Sequence, residues 1–151
     1  MAIFFLAVTV VAALTEEPKE VPAEVKTLLD RFYAATNGGE WDTAASICGF
    51  PWRRQGDGQI FQSKDELSTY FQSWGGLICK KQSVEWVDTE AIKPLLTEIE
   101  RGFLTKHDFL VRQRVQWQWG QRQYELTALC IVRHKDSKFT LHGAINDRET
   151  K

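Results

Sequence analysis

The stretch LLDRFYAATNGGEWDTAASICGFPWRRQGDGQIFQSKDELSTYFQSW, residues 28–74, decides the fold. Val25, Leu28, Leu29, Phe32 and Tyr33 fall at helical spacing, with Lys26, Asp30 and Arg31 opposite, which predicts a first helix over residues 23–36. Asn37-Gly38-Gly39 ends it, because glycine takes the left-handed conformation that a helix end asks for. A short second helix over residues 41–48 offers Trp41, Ala44, Ala45 and Ile47 for burial. Pro51 then forces extended backbone, since it disfavours helix at Phe50. Asp57-Gly58 signals a tight turn between extended segments 50–54 and 59–61. Ser63-Lys64-Asp65-Glu66 reads as a capping box, Ser63 bonding the Glu66 amide while the Glu66 carboxylate reaches back. The third helix it opens should bury Leu67, Tyr70, Phe71 and Trp74 and stop at Gly75-Gly76.

Everything after this stretch reads as sheet for those helices to cover. Residues 83–87 form a strand, and Ile92, Leu95, Leu96, Ile99 and Phe103 mark an amphipathic helix with Pro94 in its first turn. Over residues 109–119 the odd positions are Phe109, Val111, Gln113, Val115, Trp117 and Trp119, and the even ones, apart from Leu110, are Arg112, Arg114, Gln116 and Gln118. That alternation is a half-buried strand. A two-residue turn at Gly120-Gln121 sets Trp119 against Arg122, Trp117 against Tyr124, Val115 against Leu126, Gln113 against Ala128, Val111 against Cys130 and Phe109 against Val132. Apolar meets apolar down one face, which a one-residue slip would destroy. A turn near Asp136-Ser137 returns residues 139–145, setting Leu141 against Val132 and Gly143 against Cys130.

The 151 residues suit one domain with a proper core. A net charge of -1, with no basic cluster longer than Arg53-Arg54 or Lys80-Lys81, argues against a nucleic-acid partner. Residues 2–14 are apolar apart from Thr9, too short for the ~20 residues of a comfortable membrane span. Their length suits the core of a secretory signal, and Val11-Ala12-Ala13 supplies small residues for cleavage, although no Lys or Arg precedes the run. A buried first strand or helix is the alternative. The chain divides into a signal-like segment 1–14, a linker 15–22, one domain 23–146 and a tail 147–151. It is expected to be exported, periplasmic or extracellular, with no stable membrane span after processing, and cytoplasmic if residues 1–14 are not a signal. Cys48, Cys79 and Cys130 have no ligand spacing, so no metal site is expected. Cys48 and Cys79 are the pair placed to bridge in an oxidising compartment, and buried free thiols are the other reading.

The run Asp30-Arg31-Phe32-Tyr33-Ala34-Ala35-Thr36-Asn37-Gly38-Gly39-Glu40-Trp41-Asp42 resembles the helix-one-to-helix-two passage of the nuclear transport factor 2-like superfamily, which includes SnoaL-like and ketosteroid-isomerase-like proteins. Residues 58–67 resemble its entry to the third helix, and the element order matches over residues 21–145. The resemblance implies an α+β fold: three N-terminal helices packed on a curved, mainly antiparallel β-sheet, cone-shaped and cystatin-like, with one extra helix inserted before the long C-terminal strands. Ketosteroid-isomerase chemistry needs a base, a tyrosine and a protonated carboxylic acid. The matching positions here are residues 52–54, where no carboxylate stands, Phe32 and Cys130, so that chemistry is not implied. Tyr33, one step from Phe32, is expected to point to a different side.

Gln113 is the most informative single residue. It lies mid-face between Val111 and Val115, and a buried amide needs a helix side chain, a water or a ligand as partner. Trp117, Trp119 and Tyr124 are candidates for one end of a pocket between sheet and helices, and hairpin alternation sends one of Arg53 and Arg54 inward. His134 and His142 fall on opposite sheet faces and cannot share a metal, and His107 sits in a loop. The expected function is binding of a small apolar or amphipathic molecule, without catalytic residues or cofactor. The ligand-binding candidates are Tyr33, Trp52, Arg54, Gln113, Trp117, Tyr124 and Cys130. One alternative is a SnoaL-like lyase, isomerase or hydrolase using Tyr33, Arg54 and Gln113. The other is an interaction module, a homodimer through the outer sheet face that carries Arg112, Arg114, Gln116, Glu125 and His142.

Overall fold

A computed structural model describes residues 19–148. Helical periodicity becomes α1 (Ala23–Asn37), which buries Val25, Leu29, Phe32, Tyr33, Ala35 and Thr36. Its last residue fastens it to the sheet. The Asn37 side chain donates to the Cys79 carbonyl (2.9 Å) and accepts from the Cys79 amide (2.8 Å), imitating a strand neighbour on β3 (Leu77–Trp86). Helix α2 (Trp41–Ile47) buries Ala44, Ala45 and Ile47 and passes without a loop into β1 (Cys48–Arg53). Helix α3 (Lys64–Gln72) buries Leu67, Ser68 and Phe71, and its Ser68 hydroxyl donates to Asp42 Oδ1 of α2 at 2.6 Å. The cap of α3 differs from the expected box. Ser63 accepts from the Glu66 amide (3.2 Å), but the Glu66 carboxylate reaches one residue further back, to the Gln62 amide (2.9 Å).

The sheet has six strands in the order β2-β1-β6-β5-β4-β3 and is curved and mostly antiparallel, with β1 parallel to β6. The remaining strands are β2 (Ile60–Phe61), β4 (Asp108–Trp119), β5 (Arg122–Lys135) and β6 (Lys138–Asn146). The β4–β5 register is the one expected pair for pair, from Trp119 opposite Arg122 to Phe109 opposite Val132. Gly120, with φ +59°, makes the turn.

Three expectations shift, each because of local geometry that alternation alone does not record. Strand β3 begins at Leu77 rather than at residue 83, and a bulge between Cys79 and Lys81 moves the inward parity from Leu77 and Cys79 to Gln82, Val84 and Trp86. In β6, Val132 pairs with Leu141 as expected, but Cys130 pairs with Ala144 rather than Gly143. The cause is a bulge where β1 crosses close by: Gly143 has φ +94°, and a Cβ there would lie 1.9 Å from the Arg53 carbonyl oxygen. The tight turn expected at Asp57-Gly58, between segments 50–54 and 59–61, is a six-residue loop between Arg53 and Ile60, with left-handed Gly56 and Gly58.

The inserted helix breaks into three pieces: α4 (Thr89–Ile92), a 3-10 turn (Lys93–Leu95) and α5 (Glu98–Phe103). Two caps break it, Asp88 on the Glu90 and Ala91 amides and a full capping box between Thr97 and Glu100. Ile99, expected on the buried face, is 81 % exposed. The insertion covers the outer sheet face, where Val87, Ile92 and Leu96 bury Leu110, Leu129, Ile131 and Ile145 in a second core. The lone apolar exception in the alternation, Leu110, belongs to that core, and β5 is buried on both faces from Ala128 to Val132.

Val21, assigned to the linker, is buried in the inner core. Asp147 and Arg148, assigned to the tail, pair with Arg112 and Glu100. Residues 1–14 lie outside the described residues. Among the described residues no helix is long and apolar enough to cross a membrane.

Candidate functional site

The helices α1 and α3 do not fill the inner face of the sheet, and a cavity of about 430 Å³ remains between them. Aromatic residues wall it because the sequence places them at helix and strand spacings that converge: Phe32 and Tyr33 from α1, Tyr70 and Trp74 in and after α3, Trp52 from β1 and Trp117 from β4. Most of these rings meet edge to face, as Tyr33 and Trp117 do at 5.5 Å and Trp74 and Trp117 at 5.7 Å.

Polar chemistry sits at two places. The first is deep: Gln113 is only 6 % exposed, and the Tyr33 hydroxyl, from across the cavity wall, donates to its Oε1 at 3.1 Å. Gln113 Nε2 is buried and has no hydrogen-bond partner. Cys130 lies in the same wall, and burial pushes its thiol up to about 12. Burial, together with the nearby Cys130 and Cys79, holds the Tyr33 phenol well above its ordinary value, so both groups stay protonated near neutral pH.

The second place is the rim. Arg54 lies over the Tyr70 ring at 5.3 Å, and its guanidinium is forked onto the Asp57 carboxylate, Nε to Oδ1 at 2.8 Å and Nη2 to Oδ2. The Gln55 side-chain amide donates to the Thr127 carbonyl at 3.3 Å, tying the loop to β5. Leu126 and Asn146 complete this edge.

Of the seven ligand-binding candidates, six come together around the cavity: Tyr33, Trp52, Arg54, Gln113, Trp117 and Cys130. Tyr124 does not line it and is 44 % exposed at the end of the hairpin, as is Trp119, 61 % exposed against Gly76. Tyr33 is not turned away from Phe32's side. Neighbouring residues on a helix differ by about 100°, so a broad face takes both, and both line the cavity. Arg53 and Arg54 do part, one to each face. Arg53 is buried on the outer side, donating to the Ala144 carbonyl at 3.0 Å and standing 3.9 Å from Glu100. His142 is also buried rather than on an open outer face, its ring nitrogens on the Pro51 carbonyl and the Thr140 hydroxyl, both at 2.9 Å. All three cysteines are free and buried.

Sequence reasoning passed over Tyr70, Gln55 and Asn146, and missed that Arg54 is already engaged. The spacing of Arg54 and Asp57 across a turn was the available signal. Among the described residues, no group of three or more His, Cys, Asp or Glu side chains is placed to hold a metal ion.

No protein-family model matches the chain, and no curated protein matches it. Solved structures do. A domain of unknown function with a cystatin-like fold from Nostoc punctiforme superposes with TM-score 0.59 at 14 % identity, covering 85 % of this chain and 76 % of that one. An NTF-2 like protein of unknown function from Shewanella oneidensis gives TM-score 0.55 at 15 % identity over 82 % of this chain and 97 % of its own. An LEH-like epoxide hydrolase from M. tuberculosis gives 0.52 at 12 % identity over 87 % and 83 %. Identities this low carry architecture and not activity. The chain has the nuclear transport factor 2-like, cystatin-like fold.

Proposed function

We propose that this protein binds a small, largely apolar molecule in the cavity between α1, α3 and the inner sheet face. One observation carries the reading: the Gln113 amide is buried in an otherwise aromatic and aliphatic wall with one end satisfied and the other unpaired. An unpaired buried amide costs on the order of 1–3 kcal/mol, and a ligand that meets it recovers that cost. The volume is within the range of small-molecule sites, about 300–1,000 Å³. Binding is favoured over catalysis because two titratable groups beside Gln113 in the inner wall, Tyr33 and Cys130, are held protonated, and Arg54 is already forked onto Asp57. General acid–base work asks for a group poised near the operating pH. We propose export as well, from the apolar residues 2–14 and the small residues at Val11-Ala12-Ala13.

The test uses prodan, a neutral naphthyl ketone whose emission moves to the blue in apolar surroundings. A saturable blue shift, lost when Ala128→Trp fills the inner wall, supports the reading. No saturable shift, or one that Ala128→Trp leaves intact in a variant that still melts cooperatively, refutes it.

A further inference from the structure

We propose that the cavity selects an uncharged ligand carrying a hydrogen-bond acceptor, a carbonyl or ether oxygen, and seats that acceptor on Gln113 Nε2. The inference rests on the binding reading above and adds the chemical class and orientation of the ligand.

The direction of the free hydrogen bond follows from Tyr33. Its hydroxyl has one proton, and Gln113 Oε1 at 3.1 Å accepts it. Turning the amide over would place Nε2 against the hydroxyl and leave both the tyrosine proton and Oε1 without partners. The arrangement with Oε1 toward Tyr33 leaves only amide N–H groups unpaired, and those are donors. The complementary ligand atom is an acceptor.

The charge follows from what surrounds it. Val115, Ala128 and Cys130 flank the amide in the wall, and none of them offers a counter-charge. A carboxylate there would lose its hydration and gain one neutral donor, a poor exchange. The cationic residue of the lining, Arg54, holds the Asp57 carboxylate in a two-point fork at the rim. An anionic ligand would meet a guanidinium whose charge Asp57 already offsets, and a neutral one makes no demand on it. A cation finds no negative partner, since the Tyr33 phenol and the Cys130 thiol are both held protonated by burial. The ligand's apolar body then runs from Gln113 along Trp117 and Trp52 toward Leu126 at the rim.

Three probes of nearly one shape separate these claims: 2-acetylnaphthalene, the neutral acceptor; 2-isopropylnaphthalene, the hydrocarbon; and 2-naphthoate, the anion. Equilibrium dialysis of the full chain against each gives the affinities. The ketone is expected to bind roughly tenfold tighter than the hydrocarbon, the value of one buried hydrogen bond, with naphthoate weakest. In Tyr33→Phe/Gln113→Leu, which removes both polar partners together, the ketone-to-hydrocarbon ratio should collapse toward one. If that variant does not melt cooperatively, Tyr33→Phe/Gln113→Met replaces it: the unbranched, adaptable thioether fills the space of the amide without an N–H, and the ketone preference should vanish. Naphthoate binding as well as the ketone, or a ratio unchanged in these variants, overturns the selectivity. Equal binding of ketone and hydrocarbon overturns the selectivity while leaving the cavity reading standing. No binding by any of the three sinks the cavity reading, and the inference with it.

Discussion

The Tyr33–Gln113 bond joins residues 80 positions apart and should show its strength in a double-mutant cycle without ligand. Three terms enter, each on the order of 1–3 kcal/mol when a buried polar group loses its partner. Tyr33→Phe removes the hydroxyl and leaves Gln113 with neither end bonded, so it should cost about 2 kcal/mol. Gln113→Leu strands the Tyr33 hydroxyl, but it also removes the unpaired Nε2, and those two terms offset each other to within about 1 kcal/mol. The double variant strands nothing and buries no unpaired amide, so it should match or exceed the wild type. The coupling energy should therefore be about 1–3 kcal/mol, the double variant standing above the sum of the singles. For a domain of this size, each kcal/mol moves the melting temperature by roughly 4 °C, so Tyr33→Phe should lower it by about 8 °C. Urea unfolding and thermal melts followed by circular dichroism measure all four proteins. If the two single costs simply add, the bond is not energetically present and the account of the site fails.

Gly143→Ala should destabilise the fold by at least about 3 kcal/mol, combining left-handed strain with the clash at 1.9 Å on the Arg53 carbonyl; a loss under about 1 kcal/mol in urea would remove the close crossing of β1 over β6. Glu100 is 3 % exposed, and although burial alone would raise its carboxyl, the Arg148 fork, the Thr97 amide and Arg53 together hold it below the ordinary range. Its contribution is therefore present above the unfolded value, about 4, and is lost as pH falls through the lower folded value, so Glu100→Gln should flatten the acid limb of the stability–pH curve. An identical acid limb in the variant would refute this. N-terminal sequencing of protein from its native host should begin at about residue 14 or 15, and an intact Met1 on cytoplasmic protein would end the export proposal.

The parts of this molecule that could be read from its sequence are those whose geometry is settled between near neighbours. A two-residue turn at Gly120-Gln121 makes every β4–β5 pair sum to one number, so the alternation from Phe109 to Val132 carried its own register. The helices α1 and α3 announced themselves by spacing, by Asn37-Gly38-Gly39 and by Ser63. Alternation failed at the Gly143 bulge in β6, because one extra residue reverses the face of everything beyond it, and the Cys79–Lys81 bulge in β3 lies ahead of the residues that read as strand. The glycine inside β6 was the visible sign of the bulge there, but not of its cause.

Tertiary structure alone decided the rest, through contacts between distant segments. Gln113 was recognisable as a buried amide from its own strand, yet which end is bonded depends on a tyrosine that α1 delivers across the cavity. Arg53 and Arg54 were known to part. That Arg53 goes to Glu100 and Arg54 to Asp57 depends on the insertion folding over the outer face and on the rim loop closing back. The insertion itself shows the division most plainly: its apolar residues read as one helix, while Asp88 and Thr97 cap two short ones, because the chain must bend to lay Ile92 and Leu96 on Leu110, Leu129 and Ile131. Periodicity records which side chains avoid water; the surface they find depends on where the other strands lie.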